Sequence, residues 1–299
     1  MGDFIHTLPT RIGVISKALN PENQMIFIRL LGYLCQKGIF VVLEPGISLP
    51  PPLQASSFEF HPVDQMSQYV DWVIVLGGDG TLLRASRILA HDPVPIVGIN
   101  LGTLGFLTDI PADQLEQYLD EIFQGRFEAE ERSLLSTTVH RKQEVMQKTL
   151  ALNDVVLTKG ARGSMIDMEV TVDGQFLYQL RADGLIVATP TGSSAYALSS
   201  GGPLLQSNLP AVALVPICPH MLSNRPIVIS NKSTIVIRFL SGVGAFVNFD
   251  VQDQRLLEPN DELTIRKAEQ CITLWHPAGY SHYRVLREKL GWGYSYWNR

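Results

Sequence analysis

Over the first 126 residues the chain switches repeatedly between two hydrophobic periods. Ile12–Ser16, Ile39–Leu43, Val73–Leu76 and Pro95–Ile99 are short, mainly apolar runs of the kind found in strands buried on both faces. Between them, apolar residues recur at helical spacing. One such stretch has Asn20 as its cap, Pro21 at its first position and Gly38 as its stop; another carries Leu82, Leu83, Ala85, Ile88 and Leu89. A third is opened by Pro111 and closed by Gly125, and Pro50–Pro51–Pro52 reads as a stiff surface loop. Strands alternating with helices predict a parallel, doubly wound α/β domain over residues 1–126, with its site at the C-terminal ends of the strands.

From Phe127 the pattern changes. Strand-like runs follow at Leu134–Val139, Leu152–Thr158, Met168–Val172, Leu185–Ala188, Ala211–Val215, Pro226–Ile229, Thr234–Phe239 and Ala245–Phe249. Asp173–Gly174 is a hairpin turn, and helical patterning is confined to a short piece after Ser193. Residues 127–276 are therefore expected to form a β-rich domain. Ser281–Leu290 is helical again, and 277–299 are expected to pack back on the first domain.

The most informative stretch is Asp71–Ala90, DWVIVLGGDGTLLRASRILA. A buried strand runs into Gly77, Gly78, Asp79, Gly80 and Thr81, and a helix follows. Glycines at a strand-to-helix turn let backbone N–H groups approach a phosphate, and the helix start adds positive potential. A carboxylate among them repels phosphate, so Asp79 is better suited to the acceptor, taking the proton of an attacking hydroxyl. A hairpin is the bland alternative, but no second alternating strand follows. The dinucleotide fingerprint fails because Leu83 stands where its third glycine would be, and no GxxxxGK[ST] loop occurs.

Other segments are more ambiguous alone. Asn100–Leu107 follows a strand, with Gly102 and Gly105 permitting close backbone approach; Phe106 could face an adenine or fill the core. Asn153–Asp154 could bind ribose hydroxyls and an adenine edge, or simply start a strand. Asp183 through Tyr196 ends in a hydroxyl-rich turn suited to phosphate or ribose, or to capping a helix. His220 reads as structural or substrate-shaping, and metal-ligand spacing is missing throughout the sequence.

Composition narrows the partners. A chain of 299 residues that is 45% hydrophobic can bury two ordinary cores. Net charge of −5 without a basic cluster argues against nucleic acid or an anionic membrane. Cys35, Cys218 and Cys271 form no CxxC pair, which fits a reduced compartment. No apolar run has the length of a membrane span. The start MGDFIHT lacks a basic flank, and His6 stands where myristoylation wants Ser or Thr. The cytoplasm is the expected location.

Five blocks, in order, resemble the NAD kinase family: GGDGTLLRA at 77–85, GINLGTLGFLTD at 98–109, LNDVVLTKG at 152–160, DGLIVATPTGSSAYALSSGGP at 183–203 and LVPICPHMLSNRP at 214–226. The resemblance implies a C-terminal β-sandwich after the α/β domain, NAD and ATP as substrates, Mg2+ with the ATP, and a homodimer or homotetramer. By position, Asp79 resembles the catalytic aspartate acting on the adenosine ribose 2′-hydroxyl, with Gly80 and Arg84 in the same phosphate and ribose region. Asn153 and Asp154 match a pair that binds NAD. Ser194, Ala195, Tyr196 and Ser199 match the adenosine side, and Ser193–Ser194 stands where Ser-Thr is more usual. Arg181 and Asp183 match NAD contacts that some members supply from a neighbouring subunit. Gln252 corresponds to the glutamine of an Asp-Gly-Gln turn, read here as Asp250–Val251–Gln252. The turn at 77–81 alone would also admit phosphofructo-kinases and, as the main alternative, diacylglycerol and sphingoid-base kinases. The latter need an apolar acceptor groove, and the acidic balance and the Asn153 and Tyr196 segments speak against one. An NAD sensor without transfer is a third reading, opposed by the intact Asp79.

Overall fold

The structure is a computed structural model describing residues 10–292, apart from 18–20, 48, 50–52, 54–56, 103–104, 161–162 and 222. The expected cap at Asn20 and the Pro50–Pro52 loop lie outside the described residues, as do Thr103 and Leu104 of the 98–109 block. The chain divides into two compact units, Met1–Glu131 with Ile272–Arg299, and Arg132–Cys271.

Unit 1 is the α/β unit. Its elements run β1 (Arg11–Ser16), α1 (Pro21–Gln36), β2 (Phe40–Leu43), β3 (Phe58–Phe60), α2 (Val63–Met66), β4 (Trp72–Gly77), α3 (Asp79–Leu89), β5 (Ile96–Asn100), β6 (Ile110–Pro111) and α4 (Leu115–Phe123). The strands are parallel, in the order β5-β4-β1-β2-β3, with β6 beside the end of β5. Every residue of β4 and of β5 is buried, as apolar runs without alternation require. Ile12, Val14, Ile74, Leu76, Val97 and Ile99 pack against Phe27, Leu30, Leu31 and Leu34 of α1 and Leu115, Leu119 and Ile122 of α4. The helix expected from Pro111 starts four residues later, at Leu115. Pro111 is extended (ψ 138°) and pairs with Asn100 in β6, and a 3-10 turn over Ala112–Gln114 intervenes.

Unit 2 is antiparallel. It contains most of β7 (Phe127–Arg141), then β8 (Glu144–Ala151), β9 (Asp154–Thr158), β10 (Ile166–Val172), β11 (Gln175–Ala182), β12 (Gly184–Ala188), α5 (Tyr196–Ser199), β13 (Ala211–Ile217), β14 (Ile227–Ser230), β15 (Ile235–Ser241), β16 (Phe246–Phe249), β17 (Asp253–Leu256) and the first part of β18 (Glu262–Pro277). One sheet has the order β14-β13-β12-β9-β16-β17; in the other, β11-β10-β15-β18 are neighbours. Val155, Leu157, Leu185, Val187, Val212 and Leu214 from the first meet Met168, Val170, Leu180, Ile235, Ile237 and Phe239 from the second in one core. This is a β-sandwich. Three two-residue turns have positive φ at both positions, Lys142–Gln143, Asp173–Gly174 and Asp250–Val251, the handedness that matches strand twist.

The chain then returns to unit 1. Leu274 of β18 pairs with Ile96 of β5, and α6 (His282–Leu290) starts at Ser281, whose hydroxyl accepts from the Arg284 N–H. Among the described residues no helix is long and apolar enough to cross a membrane.

Candidate active site

In unit 1 the candidate residues follow from the strand order. β2 and β4 flank β1 on opposite sides, so the sequence changes direction between β1 and β4. Ligands of open α/β sheets bind outside the strand ends at such a switch point. The buried β4 ends there at Gly77, opposite Asn100 of β5, and Gly78 leads into α3. Asp79 is the first residue of that helix and is half-buried.

The Asp79 carboxylate has collected a loop. Its Oδ2 accepts from the Phe106 N–H at 2.9 Å; its Oδ1 accepts from Leu107 N–H at 3.1 Å, Thr108 N–H at 3.2 Å and the Thr108 hydroxyl at 3.3 Å. Asn100 holds the same loop from the other side, its Nδ2 donating to Thr108 Oγ1 at 2.8 Å and its Oδ1 accepting from Gly102 N–H. A side chain on Gly105 would collide with Asp79 Oδ1 and Thr108 Oγ1, so a glycine is required where the loop passes. A carboxylate oxygen can take about two hydrogen bonds. Oδ1 is therefore filled, and Oδ2 keeps one accepting position. The sequence singled out Asp79, and Gly105 for close backbone approach, but not Thr108 as the partner of Asp79, although it lies in the 98–109 block.

Around it, Gly77 is buried, Gly78 and Thr81 are half-buried, and Gly80 is exposed. Arg84, also exposed, is paired with Glu44 at 2.6 Å. Phe106 is half-buried, with Lys289 Nζ 5.8 Å from its ring centre.

In unit 2 a second carboxylate does for residues 152–154 what Asp79 does for 106–108. Asp250, 3% exposed, accepts the N–H groups of Leu152 at 2.8 Å, Asn153 at 2.7 Å and Asp154 at 3.1 Å. From the opposite side, Thr189 donates its N–H to Asn153 O and its hydroxyl to Leu152 O. Gly192 sits where any side chain would strike the Asn153 carbonyl. With the backbone so committed, the side chains are left over: Asn153 Oδ1 and Asp154 Oδ1 are buried and accept no hydrogen bond. Buried oxygens in that state are uncommon in folded proteins and are ready acceptors for ligand hydroxyl or N–H groups. Burial, with Asp250 nearby, pushes the Asp154 carboxyl from 3.8 to about 7.

The hydroxyl-rich turn is partly structural. The short helix expected from Ser193 is a 3-10 turn over Gly192–Ser194 followed by α5. The Ser193 hydroxyl is buried, donating to Pro190 O and accepting from Leu205 N–H, so it ties the turn rather than facing a ligand. Ser194 donates to Thr191 O; Ala195 is half-buried, and Tyr196 and Ser199 are exposed. Arg132, only 2% exposed, donates to Thr191 Oγ1 at 3.2 Å. It was missed because nothing in its local sequence marks a buried arginine.

Asn153, Asp154 and the turn at 189–194 thus converge at one end of β12 and β9, where Asp154 stands opposite Ala188, and the Asp250 turn joins them there. Gln252, exposed, closes that turn through its N–H to Phe249 O. Arg181 and Asp183 lie at the other end. Asp183 pairs with Lys159 at 2.7 Å, and Arg181 is exposed, its carbonyl accepting from His220 N–H. The five residues of β12 separate the two ends by roughly 17 Å.

A carboxylate at the switch point of an α/β unit, with a β-sandwich following in sequence, can serve a kinase that phosphorylates a hydroxyl. The ATP-NAD kinase N-terminal domain family matches residues 12–127, and the ATP-NAD kinase C-terminal domain family matches residues 152–276. The chain belongs to the NAD kinase family. It is 45% identical to an NAD kinase of Ralstonia nicotianae, covering 89% of this chain and 87% of that one. To an NAD kinase of Nitrosomonas europaea it is 44% identical, covering 94% of each. Among solved structures, an Archaeoglobus fulgidus NAD kinase in complex with ATP superimposes with a TM-score of 0.72 at 27% identity, over 94% of this chain and 97% of that one. Yeast NADH kinase complexed with NADH shares the fold, with a TM-score of 0.88 at 24% identity over 97% and 89%.

Proposed function

We propose that the protein transfers the γ-phosphate of ATP to the 2′-hydroxyl of the adenosine ribose of NAD, giving NADP and ADP. Its family and its relatives support the reaction. The observation carrying the residue assignment is the accepting position left on Asp79 Oδ2 at the switch point. A hydroxyl donating there is oriented for in-line attack, and as its oxygen bonds to phosphorus its proton passes to the carboxylate. The bond from the γ-phosphorus to the bridging oxygen breaks, and the charge leaves on ADP. With the loop at 106–108 already hydrogen-bonded to it, Asp79 has little freedom to reorganise during the step.

Asn153 and Asp154 would take NAD hydroxyl or amide hydrogens on their unsatisfied oxygens, and Tyr196 offers an exposed ring for stacking. Among the described residues no group of three or more His, Cys, Asp or Glu side chains is placed to hold a metal ion. Mg2+ would arrive with ATP, held by phosphate oxygens and water, and would neutralise triphosphate charge. The distance between Asn153 and the Arg181–Asp183 end supports a homo-oligomer in which those two residues serve a second copy's NAD. Free thiols at all three cysteines support a reduced, cytoplasmic setting.

The test is to incubate the purified protein with Mg-ATP and NAD and read NADP with an NADP-specific dehydrogenase. Asp79→Asn should lose on the order of 10²–10⁴ in rate while still binding NAD. Near wild-type turnover would remove Asp79 from the mechanism, and no NADP from the wild-type protein would overturn the reaction.

A further inference from the structure

The loop that wraps Asp79 ends at Asp109, and Asp109 leads to a buried cluster with no role in the chemistry described so far. Asp109 Oδ2 lies 3.0 Å from His276 Nδ1, and His276 Nε2 is 3.3 Å from Glu130 Oε2. The imidazole is 1% exposed and stacks on Tyr280, ring centres 3.9 Å apart and 12° from parallel. Asp109 Oδ1 is buried with no hydrogen-bond partner, so His276 is the group that holds this carboxylate.

Both ring nitrogens face carboxylate oxygens. A neutral imidazole would turn one lone pair toward a carboxylate, whereas an imidazolium hydrogen-bonds Asp109 through Nδ1 and is attracted to Glu130 at ion-pair range, without a hydrogen bond at Nε2. The arrangement therefore calls for the charged ring, and burial strengthens its attraction to the two carboxylates. The chemistry is one residue away. Asp109 follows Thr108, whose N–H and hydroxyl both fill Asp79 Oδ1. Anything that moves Asp109 moves the donors that decide which Asp79 lone pair stays open.

We propose that His276 is a positioning residue: held as an imidazolium between Asp109 and Glu130, it anchors the 105–109 loop and so fixes the orientation of Asp79. This rests on Asp79 acting on the acceptor hydroxyl, but the anchoring itself can be read without activity. Groups facing the ring include Asp109 on the loop, Glu130 on β7 and Tyr280 after β18. Loss of the ring proton releases the Asp109 end and loosens the loop.

The experiment follows the backbone amide signals of Phe106, Leu107 and Thr108 by NMR in the full chain, with pH varied, in wild type, His276→Gln and Asp109→Asn. The three amides should move together as the wild-type ring titrates, and that movement should vanish in His276→Gln. In the coupled assay kcat should fall about ten-fold or more while KM for NAD changes less, as expected for a misplaced reacting group. The double variant should lose no more than the worse single one. If His276→Gln fails to fold, Asp109→Asn carries the test, because it keeps an acceptor for Nδ1–H and removes only charge; its amides should show an altered titration. Amide signals of 106–108 unchanged in the folded variants would overturn the proposal even if NADP is made. Absence of NADP from the wild-type protein would instead overturn the reaction and leave the anchoring to the amide data.

Discussion

Asp79 and Asp250 perform one mechanical task in two unlike settings. Each carboxylate collects three consecutive backbone N–H groups, Phe106–Thr108 in one case and Leu152–Asp154 in the other. Asp79 stands half-buried at the start of a helix in a parallel unit and keeps an accepting position on Oδ2. Asp250 is buried in a hairpin turn, next to a second carboxylate. The same clamp can thus leave its carboxylate open to a further donor or build a rigid shelf, and what separates the two is burial and the company of Asp154.

The contrast is sharpest in stability. Asp250→Asn turns an NH2 group toward buried N–H donors, and each donor left unpaired costs about 1–3 kcal/mol. We expect a loss of roughly 3 kcal/mol or more in urea unfolding, against about 1–2 kcal/mol for the more exposed Asp79→Asn, whose main effect is on rate. Equal losses would erase the distinction drawn here.

Next in size is pH. The folded value for Asp154, about 7, lies above the ordinary 3.8, so the folded protein holds this proton more tightly than the unfolded chain does. Its contribution is fully present below about pH 4 and is lost as pH rises toward 7. At about 1.4 kcal/mol per unit, Asp154→Asn should remove on the order of 2 kcal/mol of the decline between pH 5 and 7. Parallel wild-type and variant pH profiles would show that Asp154 is ionised throughout.

The smallest effect concerns the turn itself. Val251 is β-branched, 80% exposed and held at φ 59°, where only glycine is unstrained. Val251→Gly should raise the thermal midpoint, gaining about 0.5–1 kcal/mol after the flexibility of glycine is offset. A lower midpoint would mean that Val251 makes contacts that its exposure hides.

What could be seen in the sequence follows from range. The β4–turn–α3 unit was legible because apolar runs, glycines and helical spacing are all local to residues 71–90. β8, β11 and β17 were not, since their exposed faces interrupt any apolar run. β18 was hidden by its Arg266–Gln270 stretch. Asn153 and Asp154 were singled out in the sequence, first as a polar pair at a strand start and then by resemblance, but their support was not. Asp250 reaches them across 96–98 residues, and Asp250–Val251 drew notice only as a departure from Asp-Gly. Carboxylate clamps of this sort leave no periodicity, because their donors are backbone groups that every residue carries.

The division of unit 1 into two pieces has a consequence for how the protein is made. On the ribosome β1 through β6 emerge first, with the turn at 77–81 and the loop at 105–109 already synthesised. Leu274, which pairs with Ile96, and His276, which holds Asp109, follow only after residues 132–271. Domains tend to fold in the order they are translated, but here the first-born unit waits for the last-born segment. The nascent chain thus carries Asp79 and its loop without the Asp109 anchor through most of its synthesis.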